Sequence, residues 1–116
     1  MAQSPVDIST LKDLVASTDM AFVQELIEAF LEDGREQIAA MRQSLASGDV
    51  LVFQRAAHSL KSSSANLGAL ELSSQAKELE QLAKQGSLQE VPERLERVAA
   101  AFPAIEQSLR EFGHGA

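Results

Sequence analysis

Apolar residues return every third or fourth position along almost the whole chain, and strand-like alternation never persists. That period is helical and predicts an all-α protein. The last segment shows it most cleanly. Leu88, Val91, Leu95, Val98, Phe102, Ile105, Leu109 and Phe112 step by threes and fours, the stripe of a bundle helix. A long helix from Thr18 or Asp19 to about Ala46 carries Val23, Ile27, Phe30, Ile38, Met41 and Leu45 on one face. A third helix, from about Val50 to Ala65, turns Phe53, Ala57, Leu60 and Ser64 inward. A fourth, from about Ala69 to Gln85, buries Leu72, Ala76, Leu79 and Ala83. Ahead of these, a short helix over Ile8 to Ala16 has Ile8, Leu11, Leu14 and Val15 on its inner side.

The residues between the stripes set the boundaries. Asp7 or Ser9 caps the first helix. Ser47-Gly48-Asp49 reads as stop and restart, with Gly48 past one helix end and Asp49 capping the next. Asn66-Leu67-Gly68 is a tight connection, and Gly86 ends the fourth helix. Ser87 and Glu90 have capping-box spacing, but Pro92 then sits too deep, so the last helix starts nearer Pro92. Pro103 removes an internal hydrogen bond and predicts a kink. Gly34, near the middle of the long helix, costs about 0.5–1 kcal/mol relative to alanine, which implies a close approach or a bend. Short links between long amphipathic helices favour antiparallel neighbours. The expected architecture is an antiparallel up-down-up-down four-helix bundle with the short N-terminal helix packed across it. Residues 1–7 form a flexible N-terminal segment, 8–112 the domain, and 113–116 a frayed tail.

Composition narrows the function classes. The chain has 116 residues, enough for one domain, and 45% of them are apolar, enough for one core. It has no cysteine, which excludes disulfides, thiolate metal sites and a cysteine nucleophile. The net charge of −7 argues against nucleic acid and against an acidic lipid surface as partners, because both need clustered cations. No apolar run has transmembrane length, and MAQSPVDIST lacks the features of a signal peptide, so a cytoplasmic location is expected, either free or as the cytoplasmic domain of a membrane-anchored parent.

The chemistry concentrates in AAHSLKSSSANLGA, Ala56 to Ala69. On the third helix His58 and Lys61 are three apart, and Ser62 and Ala65 continue that side, a quarter turn or more from the apolar stripe. His58 is therefore expected to be largely exposed. A neutral imidazole offers one nucleophilic nitrogen when the other carries the proton, and a carboxylate would fix that tautomer. Lys61 brings positive charge within reach of a group on the ring, where it would stabilise a phosphoryl group. The small side chains of Ser62, Ser63 and Ala65 leave room for a partner to close on the ring. Together these features suit a histidine that carries phosphate between proteins.

His58-Ser59-Leu60-Lys61-Ser62-Ser63-Ser64, followed by Asn66-Leu67-Gly68-Ala69, resembles the signature of histidine phosphotransfer (HPt) domains, His-x-Leu-Lys-Gly/Ser-Ser and then a glycine turn. Phe30-Leu31-Glu32-Asp33, Ala56-Ala57 and Leu79-Glu80 match further habits of that family, so the resemblance covers residues 8 to 112. It implies that His58 accepts a phosphoryl group from a receiver aspartate and passes it to another receiver. Lys61 would lie beside the phosphate, and Glu80 would accept the hydrogen bond of the opposite ring N–H. The implied partners are response-regulator receiver domains and a hybrid sensor kinase. The receiver would supply the acidic pocket and Mg²⁺, and this domain no cofactor or metal of its own. Docking would use the surface around His58, including Ser62 and Ala65, with Leu31, Gly34 and Arg35 of the second helix. A monomer suffices. The family most often has glycine after the motif lysine; Ser62 here bears on which partners fit.

Other readings of the same residues are weaker. There is no P-loop and no glycine-rich nucleotide segment, so the domain is expected to be a carrier and not an ATP-using enzyme. A non-catalytic adaptor that binds receivers is the alternative, and the presence of His58 argues against it. For Glu80 the plain reading is a surface residue paired with Lys77 or Lys84 at helical spacing. A di-metal bundle needs Glu-x-x-His pairs, and Arg55 stands three before His58. The acidic run from Glu25 to Glu36 is a solvated face.

Overall fold

Three aspartates open the first three helices. In a computed structural model of the chain, which describes residues 5–114, Asp7 caps α1 (Ile8–Ser17), Asp19 caps α2 (Met20–Ser47) and Asp49 caps α3 (Val50–Asn66). Their carboxylates accept from the backbone N–H of Ser9 at 3.1 Å, Phe22 at 2.7 Å and Val52 at 3.1 Å, groups that a helix start leaves without intrahelical partners. The remaining helices, α4 (Leu70–Gln85) and α5 (Val91–Gly113), begin without a side-chain cap. The Ser87–Glu90 capping box does not form. Pro92 instead occupies the first turn of α5, where its missing N–H costs nothing. The helix then runs on through Pro103, whose side chain faces solvent.

Cross-helix pairs give the topology. Arg42, near the end of α2, meets Glu96, near the start of α5, while Glu28 and Gln24 at the other end of α2 meet Arg110 and Gly113. The two helices are therefore antiparallel. Each helix from α2 to α5 packs on its sequence neighbour and α5 returns to α2, which closes a four-helix ring. The core takes most of the stripes read from the sequence, with Phe53, Met41, Leu60, Leu72, Leu79, Leu95 and Leu109 fully buried; Ile8, Leu14, Val15, Leu45, Leu88 and Phe112 are only partly buried, and Val6, Leu31 and Leu67 join the core. Phe30 and Phe102 pack at 5.9 Å between ring centroids. Gly34 is a close approach: a Cβ there would lie 2.7 Å from the Phe102 ring, so glycine lets α5 seat against α2.

Two boundary expectations are corrected. Residues 5–7 are part of the fold: Val6 is buried, and the Asp7 N–H donates to the Gly68 carbonyl at 2.8 Å. Gly68 has φ +80° and sits against Asp7 and Thr10, so the α3–α4 turn is tied to the start of α1. At the other end Gly113 is buried inside α5 and its carbonyl accepts from the Gln24 amide, so the tail is ordered at this residue. The expectations for residues 1–4 and 115–116 lie outside the described residues. No helix among the described residues is long and apolar enough to cross a membrane.

Candidate functional site

The most extensive helix contact is that of α3 with α4. It is built from small residues. Ala57 and Ser64 of α3 and Ala76 and Ala83 of α4 are all buried, and the Ser73 hydroxyl donates to the Lys61 carbonyl at 2.8 Å. Small side chains bring the backbones close. Ser73, Ala76 and Glu80 step by three and four along α4, so the seam that carries Ser73 onto α3 also carries the Glu80 carboxylate there.

Glu80 is one of the few buried polar residues, its side chain only 8% exposed. His58 presents Nδ1 to Glu80 Oε2 at 3.0 Å, and Lys61 donates from Nζ to Oε1 at 2.9 Å. Lys84, one turn along α4, places its ammonium 3.4 Å from Oε2. One carboxylate thus faces an imidazole and two ammonium groups. Burial is the largest single influence on its pKa and pushes it up. The hydrogen bonds from Lys61, His58 and Lys84 together outweigh burial and hold the carboxyl below its ordinary value of 4.5.

An ionised carboxylate only accepts, so Nδ1 carries the hydrogen in this bond and Nε2 keeps the lone pair of the neutral ring. The His58 side chain is 58% exposed, although it is anchored at one nitrogen. The arrangement is a nucleophile with a fixed tautomer, presented on a rigid surface with an ammonium one turn away.

The structure brings together His58, Lys61 and Glu80, and it leaves Ser62 and Ala65 exposed on the same side of α3. It does not bring the three α2 residues there. Leu31 is 1% exposed and Gly34 is covered by Phe102, so neither is available to a partner. Ile27, Leu31, Gly34, Ile38 and Met41 continue one three-four stripe, and all are buried because α2 is packed by both α3 and α5. Arg35 is exposed but turns to α5, where it pairs with Glu106 at 2.8 Å. On α2, Leu26, Ala29, Phe30 and Asp33 line a groove with Leu14 of α1 and Ser63 and Asn66 of α3. Glu80 does pair with Lys84 at helical spacing, but it is buried and so is not the surface residue of the plain expectation; its carboxylate also meets the His58 ring. Lys84 and Ser73 are the site neighbours that the motif did not mark. The helical spacing of Lys84 to Glu80 was the available signal. Among the described residues no group of three or more His, Cys, Asp or Glu is placed to hold a metal ion.

A helical bundle that offers one anchored, exposed imidazole defines a class: domains that work through a surface histidine. Comparison with known proteins is more specific. The family profile of the Hpt domain matches residues 25–111, three quarters of the chain, and the chain belongs to that family. Among solved structures it is similar to histidine-containing phosphotransfer protein B (HptB) from Pseudomonas aeruginosa PAO1, with a TM-score of 0.91 and 26% sequence identity over 99% of each chain. Among curated proteins no sequence matches.

Proposed function

We propose that this domain is a phosphorelay carrier in which His58 is the phosphoacceptor. The observation that carries the reading is the 3.0 Å contact of His58 Nδ1 with the buried Glu80 carboxylate, on an imidazole that is otherwise exposed. With Nδ1–H held by Glu80, the Nε2 lone pair attacks the phosphorus of a receiver's aspartyl phosphate. The N–P bond forms as the P–O bond to the aspartate breaks, and the aspartate leaves as a carboxylate. In the outward step a second receiver's carboxylate attacks the phosphorus and the electron pair of the N–P bond returns to Nε2. Glu80 keeps the Nδ1 proton throughout, so a neutral imidazole is both nucleophile and leaving group. Lys61 lies beside the site to balance the phosphoryl charge.

The partners of this reading are receiver domains and the kinase that feeds them, with Mg²⁺ in the receiver and a monomeric cytoplasmic carrier. The docking surface is the exposed side of α3 at His58, Ser62 and Ala65, extended by the groove at Ala29 and Asp33. A surface of this kind suits transient, successive partners. The test is phosphoryl transfer from a panel of phosphorylated receivers with Mg²⁺ to the wild type and to His58→Gln. Acid-labile label on the wild type alone is the expected result. Label on both proteins overturns the assignment of His58, and label on neither from any receiver, while both are folded, leaves the adaptor.

A further inference from the structure

Lys84 has no role in the chemistry described so far. It is 60% exposed and pairs with a residue four before it on its own helix, which on an ordinary surface is worth a few tenths of a kcal/mol. Its partner is unusual. Glu80 is buried, and its two oxygens are unequally engaged: Oε1 takes Lys61, while Oε2 takes His58 and Lys84. In the resting domain Lys61 is the nearer cation, 2.9 Å from Oε1, and Lys84 the second, 3.4 Å from Oε2.

We propose that Lys84 is a positioning residue of the relay site, holding the Glu80 carboxylate when Lys61 turns to a phosphoryl group on His58. This rests on His58 being the phosphoacceptor. A phosphoryl group adds about −1.5 to −2 charge beside Lys61. The ammonium that it draws away is the one bound to Glu80 Oε1. A buried carboxylate left without a cation, next to a new dianion, either takes up a proton or moves outward. Both outcomes release Nδ1–H and with it the tautomer that makes imidazole a good leaving group. Lys84 approaches Oε2, the oxygen that also holds the ring, and so keeps the carboxylate charged and in place from the side away from Lys61. The charged groups facing Glu80 are His58 and Lys61 from α3 and Lys84 from α4. The cation that α5 directs at α4, Arg94, pairs with Glu78 instead.

The experiment follows the Glu80 side-chain carbon and the His58 ring nitrogens by NMR across pH. It compares the wild type, Lys84→Met and Lys84→Arg, each at rest and in the phosphorylated state, with phosphoramidate in excess and each acidic point taken in the cold before the acid-labile phosphohistidine hydrolyses. In the resting form Lys84→Met is expected to raise the Glu80 midpoint by only a few tenths of a pH unit. In the phosphorylated form it raises it by about one unit over the wild type and weakens the Nδ1–H hydrogen bond. Lys84→Arg restores both signals. Adding Lys61→Met makes Lys84 necessary in both states, so that Lys84→Met then shifts the two forms alike. A shift of equal size in both forms with Lys61 present, or none in either, overturns the role of Lys84 and leaves the His58 assignment standing. A wild-type protein that takes no acid-labile phosphate at His58 overturns the assignment itself, and this proposal with it.

Discussion

The cross-helix ion pairs on two faces of the bundle differ in one respect. Between α2 and α5, Arg42 meets Glu96, Arg35 meets Glu106 and Arg110 meets Glu28, with arginine side chains 42–51% exposed. Between α3 and α4, Lys61 and His58 meet Glu80, whose side chain is 8% exposed. On the first face cation and anion share the solvent, and each pair can break into water at little cost. On the second the anion is withdrawn below the surface while the imidazole stays above it. A sunken carboxylate cannot follow its partners, so it dictates their orientation. Burial of the anion, and not the presence of an ion pair, separates the reactive face from the scaffold face.

The comparison breaks first at Glu80. Glu80→Leu removes the anchor of both His58 and Lys61 and is expected to slow phosphoryl transfer about 10- to 100-fold, measured in single turnover from a phosphorylated receiver. Glu80→Gln keeps an acceptor for Nδ1–H and is expected to lose clearly less. Equal losses would mean that charge, and not anchoring, is what Glu80 supplies.

Gly34→Ala tests the scaffold face. Its Cβ meets the Phe102 ring, wedged against Phe30, and such overpacking costs about 1–3 kcal/mol. Alanine's helix preference offsets about 0.5–1 kcal/mol of that. A net loss of about 1–2 kcal/mol in denaturant unfolding, with the transfer rate per folded molecule unchanged, is expected. A slowed transfer would show that the two faces are coupled.

Acid sharpens the distinction further. The folded state holds the Glu80 carboxyl below 4.5, chiefly because three hydrogen bonds override the opposing effect of burial. In the interval between the folded and unfolded values the unfolded chain binds more protons, so this contribution is complete above the unfolded value and disappears as pH falls through the folded one. Unfolding midpoints of Glu80→Gln are therefore expected to decline less on acidification than those of the wild type. The smallest effect belongs to Arg42→Ala. Its pair with Glu96 is exposed on both sides, and the unfolding midpoint is expected to change little at low salt and not at all at high salt.

The helices were legible because five amphipathic stripes and three aspartate caps agree with one another. His58 and Lys61 were legible because their spacing is local to one helix. The depth of Glu80 was not. On its own helix it sits between Leu79 and the exposed Gln81, and only the approach of α3 decides that it is covered. Leu31 and Gly34 failed for a related reason. α2 is packed by α1, α3 and α5 together, and Phe102 of α5 covers Gly34. The place of Leu31 and Gly34 on the three-four stripe from Ile27 to Met41 is the trace that this contact leaves in the sequence.

The small residues of the α3–α4 seam set a gauge. A glutamate side chain is short, and it touches the imidazole at 3.0 Å because Ala76, one turn before it, keeps the two backbones near. A larger residue at Ala57 or Ala76 would widen that gap and detune the relay without altering any reactive atom. The reach of the chemistry is thus written in methyl groups that never meet the phosphate.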